Sequence, residues 1–442
     1  MTSHEQATQK HHPSTGSGGP ELVEGQNAQR PESSAGSASS AFHAAGHVPT
    51  IEPDTAAELA ASLRRASDAR QSIVIRGAGT KMDWGRPPQR IDAMLSTRRL
   101  DRVLAHQHGD LTATIEAGAT LREVNQALAR HGQCLPLDPP FDDRATIGGI
   151  LATNDSGPLR HRFGIPRDLV IGVQVATTDG VLAKAGGQVV KNVAGYDLSK
   201  LVCGSFGSLA AIVSATFKLA PLPSASKTVA VEATSAGTIQ QIIRDVMASQ
   251  LEPIAFEIHA PGVARESPNA AQGFSPAILL RFASVPAAVD AQIDRTLAMA
   301  ALEGCATRVV EGDDERRVWE EHSRRLWTAP GAIVRASWLP SDIAAVLAGL
   351  RACAAAETEI VGRAAVGAGL IRIDGDGRAQ ANAIDALRRS ASTRNVVIVR
   401  GSDELKSLCD VWGPLGDRER LFASLKHALD PHGTLNAGRG PL

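Results

Sequence analysis

The chain is expected to fold as an α+β protein: a two-lobed domain built around glycine turns, followed by a wide antiparallel sheet with helices on one face. Three observations predict this. Between Asp142 and Leu219, short glycine turns are spaced between apolar strands instead of being gathered in one fingerprint. Beyond Pro221-Leu222-Pro223 those turns stop, and strand-like and helix-like stretches follow in the order strand, helix, strand, strand, helix, strand, given twice. Finally, 442 residues with 43% apolar and 21% charged side chains are enough for two or three domains with substantial cores.

Residues 1–47 are rich in Ser, Gly, Ala, Gln and Pro and contain no apolar run that could form a signal-peptide core or span a bilayer. They read as a disordered tail, either a docking segment or the product of a start site placed too far upstream. From Glu52 to Arg70 the apolar positions fall on one helical face, and Gln71 to Arg76 is a short β-branched strand that delivers the chain to the Gly77-Ala78-Gly79 turn. Leu111 to Glu116 alternates as a half-buried strand, and Leu121 to His131 reads as a helix ended by Gly132. These elements predict two small lobes within residues 48–223.

Past that point, strands are expected at 228–233, 255–260, 277–283, 307–311, 332–338, 359–366, 368–374 and 395–400. Helices are expected at 237–250, 286–304, 314–326, 341–356 and 378–391. The helix at 314–326 lies between two copies of a split βαβ unit, a duplicated βαββαβ arrangement that gives one wide sheet across residues 224–412. Residues 413–442 form one helix and a segment returning to the first domain.

Composition excludes several classes of partner. Formal net charge is -1 with the signs mixed along the chain, so no basic stripe exists to neutralise a phosphate backbone, and nucleic acid is not an expected partner. The five cysteines, at 134, 203, 305, 353 and 409, lie far apart with no CxxC or ferredoxin-type run. No iron–sulfur cluster or disulfide framework is expected on this chain, no metal site is identified, and a cytoplasmic location fits.

Glycines at 148, 149, 157, 164, 186, 187, 195, 204 and 207 allow backbone N–H groups to approach an anion closely, because no Cβ blocks the way. Such spacing suits a long, two-phosphate cofactor lying across several loops. A nicotinamide Rossmann unit is a poor reading, since no G-x-G-x-x-G joins a first strand to its helix with an acid following, and no P-loop occurs.

The motifs, in order, are Arg76-Gly77-Ala78-Gly79-Thr80-Lys81 with Trp84-Gly85, then Ala145-Thr146-Ile147-Gly148-Gly149 and VVKNVAGYDLSKL from Val189 to Leu201. Gly204-Ser205-Phe206-Gly207-Ser208-Leu209 follows, and far downstream Leu429-Asp430-Pro431-His432-Gly433-Thr434-Leu435-Asn436-Ala437-Gly438-Arg439. In order and spacing the chain resembles, over nearly all of residues 50 to 442, the vanillyl-alcohol oxidase / p-cresol methylhydroxylase (PCMH-type) FAD-binding family, and within it the FAD-binding subunits of bacterial glycolate oxidases.

The resemblance implies that FAD is the cofactor. Arg76, Gly77, Ala78, Gly79, Thr80 and Lys81 would wrap its pyrophosphate, with Trp84 beside them and the Thr80 hydroxyl adding a donor. Pro139, Thr146, Ile147, Gly148 and Gly149 would form the second loop, and Asn154, Ser156, Gly157 and Gly164 would lie against the pyrophosphate and the flavin ring. Val190, Asn192, Gly195, Tyr196 and Asp197 would pack beside the flavin, and Gly207 and Asn436 would complete the site. Read without the family, the first turn is a plain turn, Asn154 to Gly157 is a polar cap, and Tyr196 is a hydrogen-bonded core tyrosine. Arg167-Asp168 reads as a structural ion pair closing a loop. Covalent members of the family attach the flavin through a histidine where this chain has Thr80, and some through a cysteine where it has Arg144, so FAD is expected to be non-covalent. The usual proline of the tail motif is Ala437 here.

Relatives that oxidise 2-hydroxy acids carry a His-x-Gly-x-Gly-Asn-x-His stretch and a later Glu-x-His able to hold a metal. The matching strands here, Val361 to Arg372, contain no histidine. Arg281, Arg335 and Arg372 could pair a substrate carboxylate, and His322 could act as a base; each also reads as a structural or solvated residue, and no catalytic residue is assigned. The resemblance implies an FAD-dependent oxidoreductase subunit that makes glyoxylate from glycolate, a small 2-hydroxy acid. Its partners would be a catalytic flavoprotein subunit and an iron–sulfur subunit, with membrane association at the inner face only through that complex. A self-sufficient 2-hydroxy-acid oxidoreductase, a flavin relay or assembly subunit without a substrate site, and a cell-wall reductase on the same flavin fold are the alternatives.

Overall fold

The computed structural model describes residues 48–187, 197–261, 277–353 and 357–441. The first elements are β1 (Thr50–Ile51), α1 (Ala56–Asp68), β2 (Ile73–Arg76) and β3 (Ala93–Ser96), and the three strands form a parallel sheet in the order β1-β3-β2. Helix α1 starts where the Thr55 side chain accepts from the Glu58 N–H, and it buries Leu59 and Leu63 against Ile73 and Leu95.

Next come β4 (Val103–Gln107), β5 (Thr112–Glu116), α2 (Leu121–Ala129), β6 (Gln133–Cys134), α3 (Ile147–Thr153), α4 (Arg160–Phe163), α5 (Pro166–Leu169), β7 (Val170–Ala176) and β8 (Leu182–Gly186). After them are α6 (Leu198–Val202), β9 (Ala211–Lys218) and β10 (Ala220–Pro221). A capping box between Thr120 and Glu123 opens α2. Strands β4, β5, β9, β7 and β8 form a second, antiparallel sheet in that order. Its central strand β9 lies between two cores, giving Ala211 and Val213 to the core of α1 and Ile212, Ala215 and Phe217 to that of α2 and α3. That double burial explains why its sequence, AIVSATFK, does not alternate polar and apolar residues.

The remaining elements are β11 (Ala225–Glu232), α7 (Ala236–Ala248), β12 (Ala255–Pro261), β13 (Ala277–Ser284), α8 (Pro286–Leu302), β14 (Ala306–Glu311), α9 (Gly312–Thr328) and β15 (Ala332–Ser337). They are followed by α10 (Ile343–Ala352), β16 (Thr358–Arg363), β17 (Ala368–Ile373), α11 (Gly377–Arg389), β18 (Arg394–Arg400), α12 (Asp403–Leu408) and α13 (Arg418–Leu429). The eight strands make one antiparallel sheet in the order β14-β11-β13-β12-β16-β17-β15-β18. Numbering the strands of each repeat one to four, the order 4-1-3-2 meets its own reverse at the β12–β16 pair. The expected α+β fold with a duplicated sheet is the fold observed.

Helices α7, α8, α10 and α11 share one core with one face of this sheet, where Ile242, Val289, Val346 and Ile384 meet Phe256, Ile278, Phe282 and Ile371. Helix α9, the connector between the repeats, takes the opposite face: its Leu326 packs with Ile333, Val361 and Val399 and with Trp84 from the first half. Among the described residues no helix is long and apolar enough to cross a membrane.

Residues 434–436 return to the first sheet. Ile73 N–H donates to the Thr434 carbonyl at 2.7 Å, Asn436 N–H donates to the Ile73 carbonyl at 2.8 Å, and Leu435 is fully buried.

Candidate cofactor site

A cleft opens where the loop after β2, the start of α3, the 206–212 run and the returning segment meet. Its lining includes Gly77, Ala78, Gly79, Thr80, Lys81, Thr146, Gly148, Gly149, Gly207 and Asn436 from the expected set. Strand β2 brings the first loop there, and Thr146, whose side chain accepts from Gly149 N–H, opens α3 at its edge. Met82, Thr97, Thr153, Phe206 and Arg439 add to the lining, with Ile75, Ala117, Ala152, Ala210 and Ile212 as its aliphatic part.

Residues 77–81 carry five successive backbone N–H groups that donate to no protein acceptor among the described residues. A row of this kind, on glycine-rich backbone, is the arrangement that receives an anion. Glycine is required there for more than one reason. Gly79 has φ +82°, a Cβ on Gly77 would lie 2.2 Å from Thr146 Oγ1, and one on Gly148 would lie 2.8 Å from the Ala117 Cβ. Gly207, at φ +67°, brings its backbone so close to Asn436 that a Cβ would sit 2.6 Å from Nδ2. Asn436 in turn accepts from Ile75 N–H and donates to the Phe206 carbonyl, so one side chain joins three walls of the cleft. A long, two-phosphate group fits this donor row and its glycine cradle.

Other expected site residues are placed elsewhere. Arg76 is exposed at the end of β2, while Ile147 is fully buried in the core beneath α3. Asn154, at φ +48°, ends α3 in the left-handed conformation, and its Oδ1 accepts from Arg167 N–H and the Cys203 thiol, whose pKa burial pushes up to about 12. Gly164 is a turn at φ +81°, and Pro139 is buried outside the cleft lining. Asp197 caps α6 through the Lys200 N–H and lines a second cavity with Lys200, Cys203, Phe422 and Lys426. Val190, Asn192, Gly195 and Tyr196 lie outside the described residues. The expected Arg167–Asp168 ion pair is not among those of the described residues; Asp168 instead accepts from Ile165 N–H and Arg167 lines the second cavity. The backbone of residues 165–168 closes that turn without a charge pair.

Beside the cleft, Lys81 Nζ and Asp155 Oδ2 form an ion pair of 2.9 Å with both side chains buried. Arg335 of β15 reaches Asp155 at 3.4 Å, and Lys81 and Arg335 both lie over the Trp84 ring, at 4.9 and 5.5 Å. Trp84 stacks on Trp327 of α9, 5.8 Å between centroids. Arg335 is thus the only one of the three candidate arginines brought to the glycine loops. Arg281 pairs with Glu315, and Arg372 with Glu359 and Asp374. Burial alone would raise the Glu359 pKa, but hydrogen bonds from His259 and Arg325 and their neighbouring charges hold it at about 2.

His322 is buried against Glu257 at 3.1 Å, which makes it part of a packed network and no exposed base. Arg363 reaches the other Glu257 oxygen at 3.4 Å and donates to the Ser156 and Gly157 carbonyls at 3.0 and 3.1 Å. Ser156 and Gly157 therefore hold the loop to the sheet through their carbonyls. A small cavity lies between these groups and Asp138, whose carboxyl burial pushes up to about 8. Among the described residues no group of three or more His, Cys, Asp or Glu is arranged to hold a metal ion.

Asp155, Arg363 and Arg439 were not among the expected site residues: Asp155 and Arg439 stand inside or beside runs marked by their glycines and asparagines, and Arg363 carries no local signal.

Residues 49–186 match the family described as FAD binding domain. Glycolate oxidase subunit GlcD of Bacillus subtilis (strain 168) is 32% identical over 207 residues, 47% of this chain and 44% of that protein. Glycolate oxidase subunit GlcE of Escherichia coli (strain K12) is 33% identical over 204 residues, 46% and 57% of the two chains. The matches thus span about half the length of these two relatives. D-2-hydroxyglutarate dehydrogenase of Xanthomonas citri pv. viticola is 26% identical over 415 residues, 88% of each chain. The structure of an alkyldihydroxyacetonephosphate synthase superposes with a TM-score of 0.62 over 88% of this chain and 76% of that one; at 15% identity this is a likeness of fold.

Proposed function

From a chain whose residues 49–186 match the FAD binding domain family, we infer an FAD-dependent oxidoreductase acting on 2-hydroxy acids, with glycolate as its substrate. The observation that carries the reading is the row of five N–H groups at 77–81, without an acceptor among the described residues, in a glycine-lined cleft. When bound, FAD supplies the two-electron oxidation that no side chain can perform. The chain's own work is to bind, aim and enclose. The 77–81 row and the Thr80 hydroxyl hold the diphosphate, and Ile75, Ala117, Ala210 and Ile212 offer apolar lining. With threonine at position 80 and arginine at position 144, neither side chain supplies the nucleophile needed for a covalent flavin link, which supports non-covalent attachment. Arg335 is the guanidinium placed to take a substrate carboxylate, with Trp84 and Trp327 limiting water around it. On this reading residues 48–223 are the FAD-binding domain, 224–412 the cap, and 413–442 the segment that returns to it.

The names of the GlcD and GlcE relatives support placement as one subunit of a glycolate oxidase assembly; a catalytic flavoprotein subunit and an iron–sulfur subunit are the partners proposed to receive or supply its electrons. A second reading, a flavin relay subunit without its own substrate turnover, is favoured by one observation: the stretch from Val361 to Arg372, where relatives that oxidise 2-hydroxy acids are expected to carry histidines able to hold a metal, contains no histidine. An anaerobic absorbance spectrum of the purified chain, before and after glycolate, tests both. Bleaching of the bound-flavin band supports substrate oxidation by this chain; an unreduced flavin that bleaches only in the reconstituted assembly supports the relay.

A further inference from the structure

The loop that follows the N–H row is held by two cationic side chains from residues more than 300 positions away. Arg439 Nη2 donates to the carbonyls of Met82 and Trp84 at 2.6 and 3.0 Å and lies 3.3 Å from that of Lys81. Lys406 Nζ, from α12, donates to the Asp83 carbonyl at 2.7 Å. Four successive carbonyls, 81 to 84, are thus taken. The backbone is stitched as well: Arg86 N–H donates to the Arg439 carbonyl and Gln89 N–H to that of Ala437, both at 3.2 Å. Gly85, at φ +80°, brings the two segments so close that a Cβ would lie 2.6 Å from the Arg439 carbonyl oxygen.

This arrangement has an electrostatic and a mechanical side. A carbonyl beside an anion repels it; four carbonyls each engaged by a cation leave the loop a net donor. The other end of the row is fixed at β2, where Arg76's carbonyl accepts from Thr97 N–H and Ile75 N–H donates to Asn436. Residues 77–81 are therefore strung between two anchors. Arg439 is 4% exposed, so its charge faces these carbonyls and the neighbouring Asp83 carboxylate, not solvent.

We propose that Arg439 and Lys406 are positioning residues that preorganise loop 77–86 for the cofactor's diphosphate, so that segment 403–441 sets how tightly the cofactor is retained. The proposal rests on the reading of 77–81 as the diphosphate site. All three contacts are made by Nη2 at the tip of the guanidinium, a reach that the shorter lysine side chain lacks, so even Arg439→Lys should loosen the loop.

The test uses the full chain with Arg439→Lys, Lys406→Gln and, as a control, Lys227→Gln. Lys227 pairs with Asp290 and Glu311 and contacts neither the loop nor segment 403–441. Amide hydrogen exchange of Met82, Trp84 and Arg86, whose N–H groups are hydrogen-bonded, is followed in flavin-free protein, and the FAD dissociation constant is measured by flavin fluorescence. Expected are exchange about tenfold faster in the loop and FAD binding about tenfold weaker in the first two variants, with both readouts within about twofold of the parent in the control. Unchanged loop exchange, or faster exchange with unchanged FAD affinity, overturns the proposal. Should the unsubstituted chain bind no FAD, the diphosphate reading fails, while the exchange data still report on the loop anchors.

Discussion

Lys81 and Asp155, 74 positions apart, meet through a 2.9 Å Nζ to Oδ2 contact with 6% and 3% of their side chains exposed. The pair joins the loop after β2 to the loop after α3. Removing one partner leaves the other charged and buried, so Asp155→Asn should cost about 3–5 kcal/mol in chemical denaturation. Lys81→Met combined with Asp155→Leu should recover much of that loss. A stability change below about 1 kcal/mol for Asp155→Asn would show that the nearby Arg335 and Trp84 groups, and not the pair, hold this junction.

Gly79→Val and Gly148→Val should each yield folded protein without flavin. The first puts a branched side chain on backbone at φ +82°, and the second drives one into Ala117. The check is the ratio of FAD to protein after purification. Equimolar flavin in both variants would contradict the loop assignment.

Asp138 should make folding stability fall with rising pH. Its carboxyl is raised to about 8 by burial, with the Leu159 N–H, Arg363 and Arg281 opposing and Glu257 adding to the effect. The folded state therefore holds this proton between pH 4 and 8 while the unfolded chain releases it, so the stabilising contribution is complete below the unfolded pKa and is lost as pH rises through 8. Asp138→Asn mimics the protonated acid and should flatten the profile. The variant should gain at least about 1.4 kcal/mol on the parent between pH 5 and pH 8, read from urea midpoints. Parallel profiles would place the proton elsewhere.

Arg335→Met should leave flavin content unchanged and raise the glycolate concentration needed for half-bleaching about tenfold or more, the scale of a lost charge-assisted hydrogen bond. Half-bleaching at the parent's concentration would remove Arg335 from the substrate site.

Much of this was legible in the sequence because it is local. The alternation of strand and helix from 224 onward, and the glycine turns, follow from side-chain periodicity and from backbone that only glycine adopts cheaply. The expected cleft residues that did converge, Gly77 to Lys81, Thr146, Gly148, Gly149, Gly207 and Asn436, belong to such turns. Charge pairing is not local. Arg281, Arg372 and His322 looked available because Glu315, Glu359 and Glu257, which occupy them, are distant in sequence or placed by sheet register. Asn154 ends α3 as the polar cap that its composition also allowed, and α9 crosses the face opposite its neighbours, a side that no local pattern in a connector between repeats announces.

The addition of Thr434, Leu435 and Asn436 to the edge of β2 also sets an order in time. A ribosome completes the 77–81 loop more than 350 residues before it makes Asn436 and Arg439. Nascent chains must pass through a stage in which the glycine loops exist but the wall supplied by these two side chains does not. If the 77–81 row is the diphosphate site, tight retention of the cofactor is therefore a property that the chain acquires late, after residue 439 has been made.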